Sequence, residues 1–247
     1  MKTGIIIQAR AGSTRLPDKV ILPFYQNEPI IEIILDRIQA GAGNIPLVLA
    51  TTENVRDEVL CRLAEKKSVN CFCGPEDDVL ERFILAALKY GFDRIIRICA
   101  DNPFFDIDGT LALLNGEEDY IAYHITGDIP SIKSHLGFWG EVVSLEALMK
   151  VRSLTSGTIY HEHVTNYIYT HPGHFRIKWY DAPANVYERT DVRLTIDDRK
   201  DFVMGMELFA EIKNAGLPFK PGNILSYLDQ HRHYLDTMKS QIRKYSK

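Results

Sequence analysis

Three consecutive isoleucines, Ile5–Ile7, lead through Gln8 and Ala9 into a loop that carries Arg10, Arg15 and Lys19 around Gly12, Ser13 and Thr14. An unbroken apolar β-branched run reads as a strand buried on both faces, which places it inside a helix-covered sheet. The turn that follows is small and cationic. Its backbone N–H groups and three basic side chains suit a polyphosphate. It is neither a Walker loop nor a dinucleotide fingerprint, because G-x-x-x-x-G-K-[ST] and G-x-G-x-x-G are both absent. Taken alone, the stretch is equally compatible with a solvated basic loop.

The next hundred residues alternate. Pro29–Gly41 predicts a helix with a Pro start and a Gly stop. Pro46–Thr52 predicts a buried strand. Asn54 caps a helix to about Lys67, with Val55, Val59, Leu60 and Leu63 on its apolar face. Asn70–Cys73 is a short strand ending at Gly74-Pro75. Asp77 or Asp78 opens a helix closed by Gly91, and Arg94–Asp101 is the next strand. The order β-α-β-α-β-α-β implies an α/β fold with a mostly parallel central sheet covered by helices. Ligands of such sheets sit beyond the carboxyl ends of the strands. Those ends carry the Arg10 loop, Thr51-Thr52, Gly74-Pro-Glu-Asp and Asp101-Asn-Pro.

The second half is less regular. We expect a helix from Asp106 or Asp108 to about Gly116, a strand at Tyr120, and a long site-covering loop over His124–Gly140. Further strands fall near Phe138–Val143, Phe175–Tyr180 and Arg193–Asp197. Helices follow at Ser144, Ile159–His171, Arg199–Asn214 and in a C-terminal pair, with a polar tail from Lys239 free to fray. No repeat or linker interrupts the chain, so residues 1–247 are expected to form a single domain, with an acceptor or dimerisation excursion around 124–180.

A formal net charge of −4 argues against broad nucleic-acid binding, so any anion site must be local. No stretch has the apolar length of a membrane span. Met1-Lys-Thr runs straight into the first strand, which makes the cytoplasm the expected compartment. There Cys61, Cys71, Cys73 and Cys99 are expected to be reduced, buried thiols. Cys71 and Cys73 share a strand face, but no second Cys/His pair stands at finger spacing, which disfavours zinc.

Two strands end in acid, at Asp101 and at Asp197. Such a pair is suited to Mg²⁺, which takes hard oxygen ligands beside substrate phosphates. Taken singly, each Asp fits a turn or helix cap equally well. His161 and His163 are two apart on a helix and cannot chelate one metal as an i, i+4 pair would. With Glu162 they line an acceptor pocket or subunit contact, or else form a solvated polar face. Lys133, Arg189 or Arg193 would supply a cation to an acceptor carboxylate. Trp139 and Trp179 read as core or pocket wall.

Ile6-Ile-Gln-Ala-Arg-Ala-Gly-Ser-Thr-Arg-Leu-Pro-Asp-Lys-Val20 closely resembles the opening of the cytidylyltransferases that activate acidic sugars. The likeness is strongest to the spore coat polysaccharide biosynthesis branch. The acylneuraminate and 3-deoxy-manno-octulosonate enzymes are wider relatives. Arg97-Ile-Cys-Ala-Asp-Asn-Pro103, Tyr160-His-Glu-His-Val-Thr-Asn-Tyr-Ile168 and Arg193-Leu-Thr-Ile-Asp-Asp198 agree, in the right order.

The resemblance implies a nucleotide-diphospho-sugar transferase (Rossmann-like) fold. It implies transfer of CMP from CTP to a sugar, with Mg²⁺ and release of pyrophosphate. By motif position, Arg10, Ser13, Arg15 and Lys19 hold the triphosphate, while Ala9 and Gly12 allow close backbone approach. Gln8 lies near the nucleotide, and Asp101 and Asp197 bind the metal. Arg15, Lys19 and Asp101 are the expected catalytic residues. A homodimer is implied in the same way.

Two departures stand out. Ala11 and Asp18 replace a Met and a Gly of the usual motif, and Asp18 is unfavourable beside phosphate unless it turns away or pairs with Lys19 or Arg15. The usual Val-Asp-Thr-Pro-Glu-Asp reads Ile-Asp-Asp-Arg-Lys-Asp201, leaving Asp198 to cap the following helix. The sequence leaves open a different nucleotide, a phosphonate or polyol acceptor, and a non-catalytic nucleotide-binding member. A dehydrogenase is disfavoured by the missing glycine fingerprint.

Overall fold

The computed structural model describes residues 1–127 and 129–245. The chain runs through β1 (Thr3–Gln8), β2 (Pro23–Tyr25), β3 (Glu28–Pro29), α1 (Ile30–Gly41), β4 (Leu47–Thr52), α2 (Glu58–Lys66) and β5 (Asn70–Gly74). It continues with α3 (Val79–Tyr90), β6 (Arg94–Cys99), α4 (Ile107–Ala112), β7 (Tyr120–Thr126), β8 (Ile129–Pro130), β9 (Glu141–Ser144) and α5 (Leu145–Leu154). It closes with α6 (Thr158–Glu162), α7 (Asn166–Thr170), β10 (Ile177–Asp181), α8 (Arg199–Asn214), α9 (Pro221–Gln230) and α10 (Arg232–Tyr245).

The main sheet has the order β10-β7-β9-β6-β1-β4-β5, with β8 paired to β7. β1 pairs in parallel with both β4 and β6, which makes it the interior strand that its isoleucines require. Ile5 and Ile7 pack into one core layer with α1 and α8, and Ile6 into the other with α3 and α5. β9 runs antiparallel between β6 and β7, so the sheet is mixed but mostly parallel. β10 pairs in parallel with β7, so the stretch around 124–180 contributes strands to the same sheet.

Several expected elements take a different form. Asn54 accepts from the Arg56 N–H, but it opens a 3₁₀ turn, Val55–Asp57, ahead of α2. Val55 therefore lies outside the apolar stripe, 76% exposed. The expected helix over Ile159–His171 is two short helices, α6 and α7. The break falls where Thr165 turns inward and its hydroxyl donates to the buried Glu141 carboxylate at 3.0 Å.

Arg193–Asp197 is not a strand. The N–H groups of Leu194 and Thr195 both donate to the His135 carbonyl, and that of Ile196 donates to the Asp101 carbonyl, so no ladder forms. His124–Gly140 is partly structured, because β7 extends to Thr126 and β8 pairs back onto it. The tail does not fray at Lys239, because α10 continues to Tyr245 and Gln241, Lys244 and Tyr245 all donate to Asp198. Asp198 is the cap of α8, in a capping box with Asp201.

The cysteines are not the buried thiols that composition suggested. Cys61, Cys71 and Cys99 are half-buried and Cys73 is exposed. The reason for Cys71 and Cys73 is position, since β5 is the sheet's edge strand.

Candidate active site

The loop after β1 folds about Ala11. The Ala11 carbonyl accepts from the Ser13 and Asp18 N–H groups at 2.8 and 2.9 Å. Its own N–H donates to Asp57 Oδ1 at 2.7 Å. Asp57, 2% exposed, also accepts from the Thr52 hydroxyl. A buried carboxylate at the start of α2 thus fixes the cationic loop to the end of β4. Asp18 adopts φ +63° and pairs with Arg56 at 3.0 Å. That takes its charge out of the loop's centre, through a partner other than the expected Lys19 or Arg15.

This loop forms one wall of a cleft of about 830 Å³ at the carboxyl rim of β1 and β6. Gln8, Ala9, Arg10, Ser13, Arg15, Lys19, Asp101, Lys133, Glu162, His163 and Asp197 all line it. Gly12, His161, Arg189 and Arg193 do not. Arg189 is held by Asp191 and Asp229. Arg193 is fully buried, paired to Asp197 and Asp201, and donates to His135 Nδ1 at 2.7 Å.

His161 tethers α6 to the start of α3 through Asp78 at 2.7 Å, with its other nitrogen on the Thr155 carbonyl. Burial works against its charge, but the Thr155 carbonyl and the Asp78 carboxylate outweigh it and raise its pKa. The tether holds the neighbouring Glu162 and His163 at the cleft.

Within the cleft, Lys19 Nζ lies 2.9 Å from Asp101 Oδ2 and 3.9 Å from Asp197 Oδ1. Arg15 pairs with Asp197 at 2.7 Å. The ammonium thus occupies the place between two carboxylates where a cation belongs. The Asn102 Oδ1, on the same rim, is buried without a hydrogen-bond partner among the described residues. These are hard oxygen donors, and one or two carboxylates beside substrate phosphates are what Mg²⁺ takes. The donor set fits that ion.

Lys133, Glu162 and His163 line the same cleft. Burial lowers the His163 pKa, and with the charges of Arg97 and Lys133 it outweighs the opposing charge of Glu162. His135 is likewise lowered by burial and by Arg193. Burial pushes the Cys99 thiol up to about 11, so it is a neutral wall of the cleft.

Two contributors escaped sequence reasoning. Arg82 lines the cleft from the buried face of α3, its Nε without a partner among the described residues. Burial and the nearby Arg10 charge lower its pKa. Arg97 of β6 donates from Nε to Gln8 Oε1 at 3.1 Å, which orients that amide. Its Nη1 pairs with Glu141, fully buried across the ladder on β9. The signal was available, since Arg82 falls on the apolar stripe of its helix and Arg97 lies between Ile96 and Ile98.

A mostly parallel sheet whose carboxyl rim joins a cationic loop to paired carboxylates defines an α/β nucleotidyltransferase of the nucleotide-diphospho-sugar transferase fold. The family model of cytidylyltransferases matches residues 4–237. This chain belongs to that family. It is 33% identical over 202 residues to the spore coat polysaccharide biosynthesis protein SpsF of Bacillus subtilis, covering 80% of this chain and 82% of the relative.

The structure of a cytidylyltransferase from Leptospira borgpetersenii superposes with a TM-score of 0.83 at 25% identity, covering 95% of this chain and 97% of that one. CMP:2-keto-3-deoxy-manno-octonic acid synthetase, solved with CTP, shares the fold at a TM-score of 0.64 and 16% identity, over 85% of this chain and 99% of its own. No helix among the described residues is long and apolar enough to cross a membrane.

Proposed function

We propose that this chain transfers CMP from CTP to a hydroxyl of an acidic sugar, yielding a CMP-sugar and pyrophosphate for surface polysaccharide synthesis. In this reading it works as a cytoplasmic homodimer with Mg²⁺. The observation that carries the reading is the meeting of Lys19 with Asp101 and Asp197 on the rim that also carries Arg10, Ser13 and Arg15.

In the reaction the acceptor oxygen bonds to the α-phosphorus as the bond to the β-phosphate oxygen breaks, and pyrophosphate leaves. Arg10, Ser13, Arg15 and Lys19 bind the triphosphate and stabilise its developing charge. Mg²⁺, held by Asp101 and Asp197, would supply further neutralisation of the phosphate oxygens. Arg97 holds Gln8 Oε1, leaving the Gln8 Nε2 hydrogens for the nucleotide. His163, neutral and beside Glu162, takes the proton of the attacking hydroxyl. Lys133 lines the cleft with no acidic side chain paired to it among the described residues, and it favours an acceptor carboxylate.

The test is pyrophosphate release from CTP, Mg²⁺ and a panel of acidic and neutral sugars. Release is expected only with all three components and an acidic acceptor. A nucleotide that binds only the native state at a hundredfold excess over its Kd adds about 2.7 kcal/mol of stability. Such stabilisation by CTP without release across the panel would overturn the catalytic reading.

A further inference from the structure

Away from the cleft, α2 packs on the edge strand β5 and brings three cysteines together. Cys61 comes from the helix. Cys71 and Cys73 are two apart on the strand and so share the face that meets it. The Cys61 and Cys73 sulfurs lie 3.2 Å apart, and all three sulfurs lie within 4.8 Å of one another. None of the three lines the cleft, and the proposed reaction uses none of them. Cys61 and Cys71 are half-buried, while the exposed Cys73 leaves a path from solvent.

We propose that Cys61, Cys71 and Cys73 form a three-thiolate zinc site that clamps α2 to the edge of the sheet. Zn–S bonds of about 2.3 Å separate the sulfurs of a tetrahedral centre by about 3.8 Å. The Cys61–Cys73 separation of 3.2 Å and the 4.8 Å limit on all three are close to that value, so side-chain adjustment closes the site. An all-sulfur set selects a thiophilic ion and rejects Mg²⁺ or Ca²⁺, which need oxygen. Cys73's exposure leaves the fourth position to water.

Linear spacing hides the site, because the third thiol arrives through helix packing and not through a second sequence pair. The clamp has a structural consequence. The turn that leads into α2 carries Asp57, which anchors the phosphate loop through the Ala11 N–H.

The test uses the full chain, reduced and metal-free, titrated with Co²⁺ under anaerobic conditions and then with Zn²⁺. The expected result is thiolate-to-cobalt charge-transfer absorption saturating at one equivalent, its loss on zinc addition, and a zinc-dependent rise in Tm. Cys61→Ser, Cys71→Ser and Cys73→Ser should each lower zinc affinity by more than the roughly 10- to 100-fold that loss of an outer-shell partner costs. Cys99→Ser should keep the stoichiometry. Cys73 is exposed, so Cys73→Ser should retain the wild-type circular dichroism and separates lost ligation from lost folding.

Absence of the thiolate band in folded, reduced protein would overturn the proposal. So would a band that survives in both Cys61→Ser and Cys73→Ser. Metal-free protein that takes up no zinc, yet loses two hydrogens to an oxidant and links Cys61 to Cys73, would assign the cluster to a disulfide instead.

Discussion

Glu141→Gln is the substitution whose cost the structure defines most closely. Glu141 is fully buried on β9. Its carboxylate accepts from Arg97 Nη1, from the Tyr120 hydroxyl, and from Thr165 Oγ1 at 3.0 and 3.1 Å. Arg97 is 5% exposed, and burial together with Glu141's charge raises the Tyr120 pKa and holds its phenol protonated. The glutamine removes the charge and turns one acceptor into a donor, facing an arginine that cannot deprotonate.

Breaking one side of a buried pair costs about 3–5 kcal/mol. At about 2–4 °C per kcal/mol for a chain of this size, Tm should fall by roughly 6–20 °C. Urea unfolding by linear extrapolation measures the loss directly. Arg97→Met with Glu141→Leu should recover only part of it, because an apolar pair leaves no buried charge uncompensated but takes the acceptor from the buried Tyr120 and Thr165 hydroxyls. A loss below about 1 kcal/mol, the range of exposed pairs, would refute the reasoning.

Three other outcomes follow from the same contacts. Asp101→Asn and Asp197→Asn should each abolish Mg²⁺-dependent pyrophosphate release while the chain stays folded, since both carboxylates are partly exposed and the buried Arg193 keeps Asp201; activity surviving both changes would remove the metal assignment. Arg15→Ala should weaken CTP binding by about tenfold or more, the value of one charge-assisted hydrogen bond, whereas Arg243→Ala on the exposed face of α10 should leave it unchanged; equal effects in a binding isotherm would sink the loop's role. Tyr245→Phe tests Asp198: burial raises that carboxyl's pKa, but the Tyr245 hydroxyl, the Asp201 N–H, Gln241 and Lys244 outweigh it and depress it well below the usual range. A depressed folded-state pKa stabilises in full above the unfolded value of about 3.9 and is lost as pH falls towards the folded one. The variant should therefore be less stable by about 1–2 kcal/mol through neutral pH, closing only in strong acid; a deficit that widens on acidification would contradict it.

What was legible in the sequence was what periodicity and capping encode locally. Ile5–Ile7, the Asp78 cap of α3 and its Gly91 stop all sit where pattern places them, and the alternation they punctuate builds the parallel half of the sheet. The boundaries that moved did so where a tertiary hydrogen bond overrode local preference. Thr165 leaves its helix to reach Glu141, and Arg193–Asp197 leaves strand geometry because its N–H groups are claimed by His135 and Asp101. Both partners are remote in the chain, so no window of sequence around either segment contains the cause. Arg193 differs: the sequence offered it to an acceptor carboxylate, and the fold commits it to Asp197 and Asp201, partners four and eight residues away.

The residues that break the pattern are the more informative ones. Arg82 and Arg97 occupy positions where helix and strand periodicity call for an apolar side chain, and a charge placed there must have a partner or an occupation. Arg97 has its partner in Glu141. Arg82 has a carbonyl of Glu76 at 3.2 Å, an unpartnered Nε among the described residues, the like charge of Arg10, and the opposing charges of Asp57, Glu76 and Asp78. Arg10, Arg82 and Lys133 line the same cleft as Glu76, Asp77 and Glu162, while Asp101 and Asp197 hold Lys19, Arg15 and Arg193. Within that balance the Arg82 Nε is buried without a partner among the described residues and Arg82 stands beside the like charge of Arg10, a local cost that a polyanion offsets, so triphosphate should stabilise this fold well beyond nucleoside or monophosphate. A thermal series of cytidine, CMP, CDP and CTP reads that directly, and a flat series would mean that the buried arginines serve the fold and not the nucleotide.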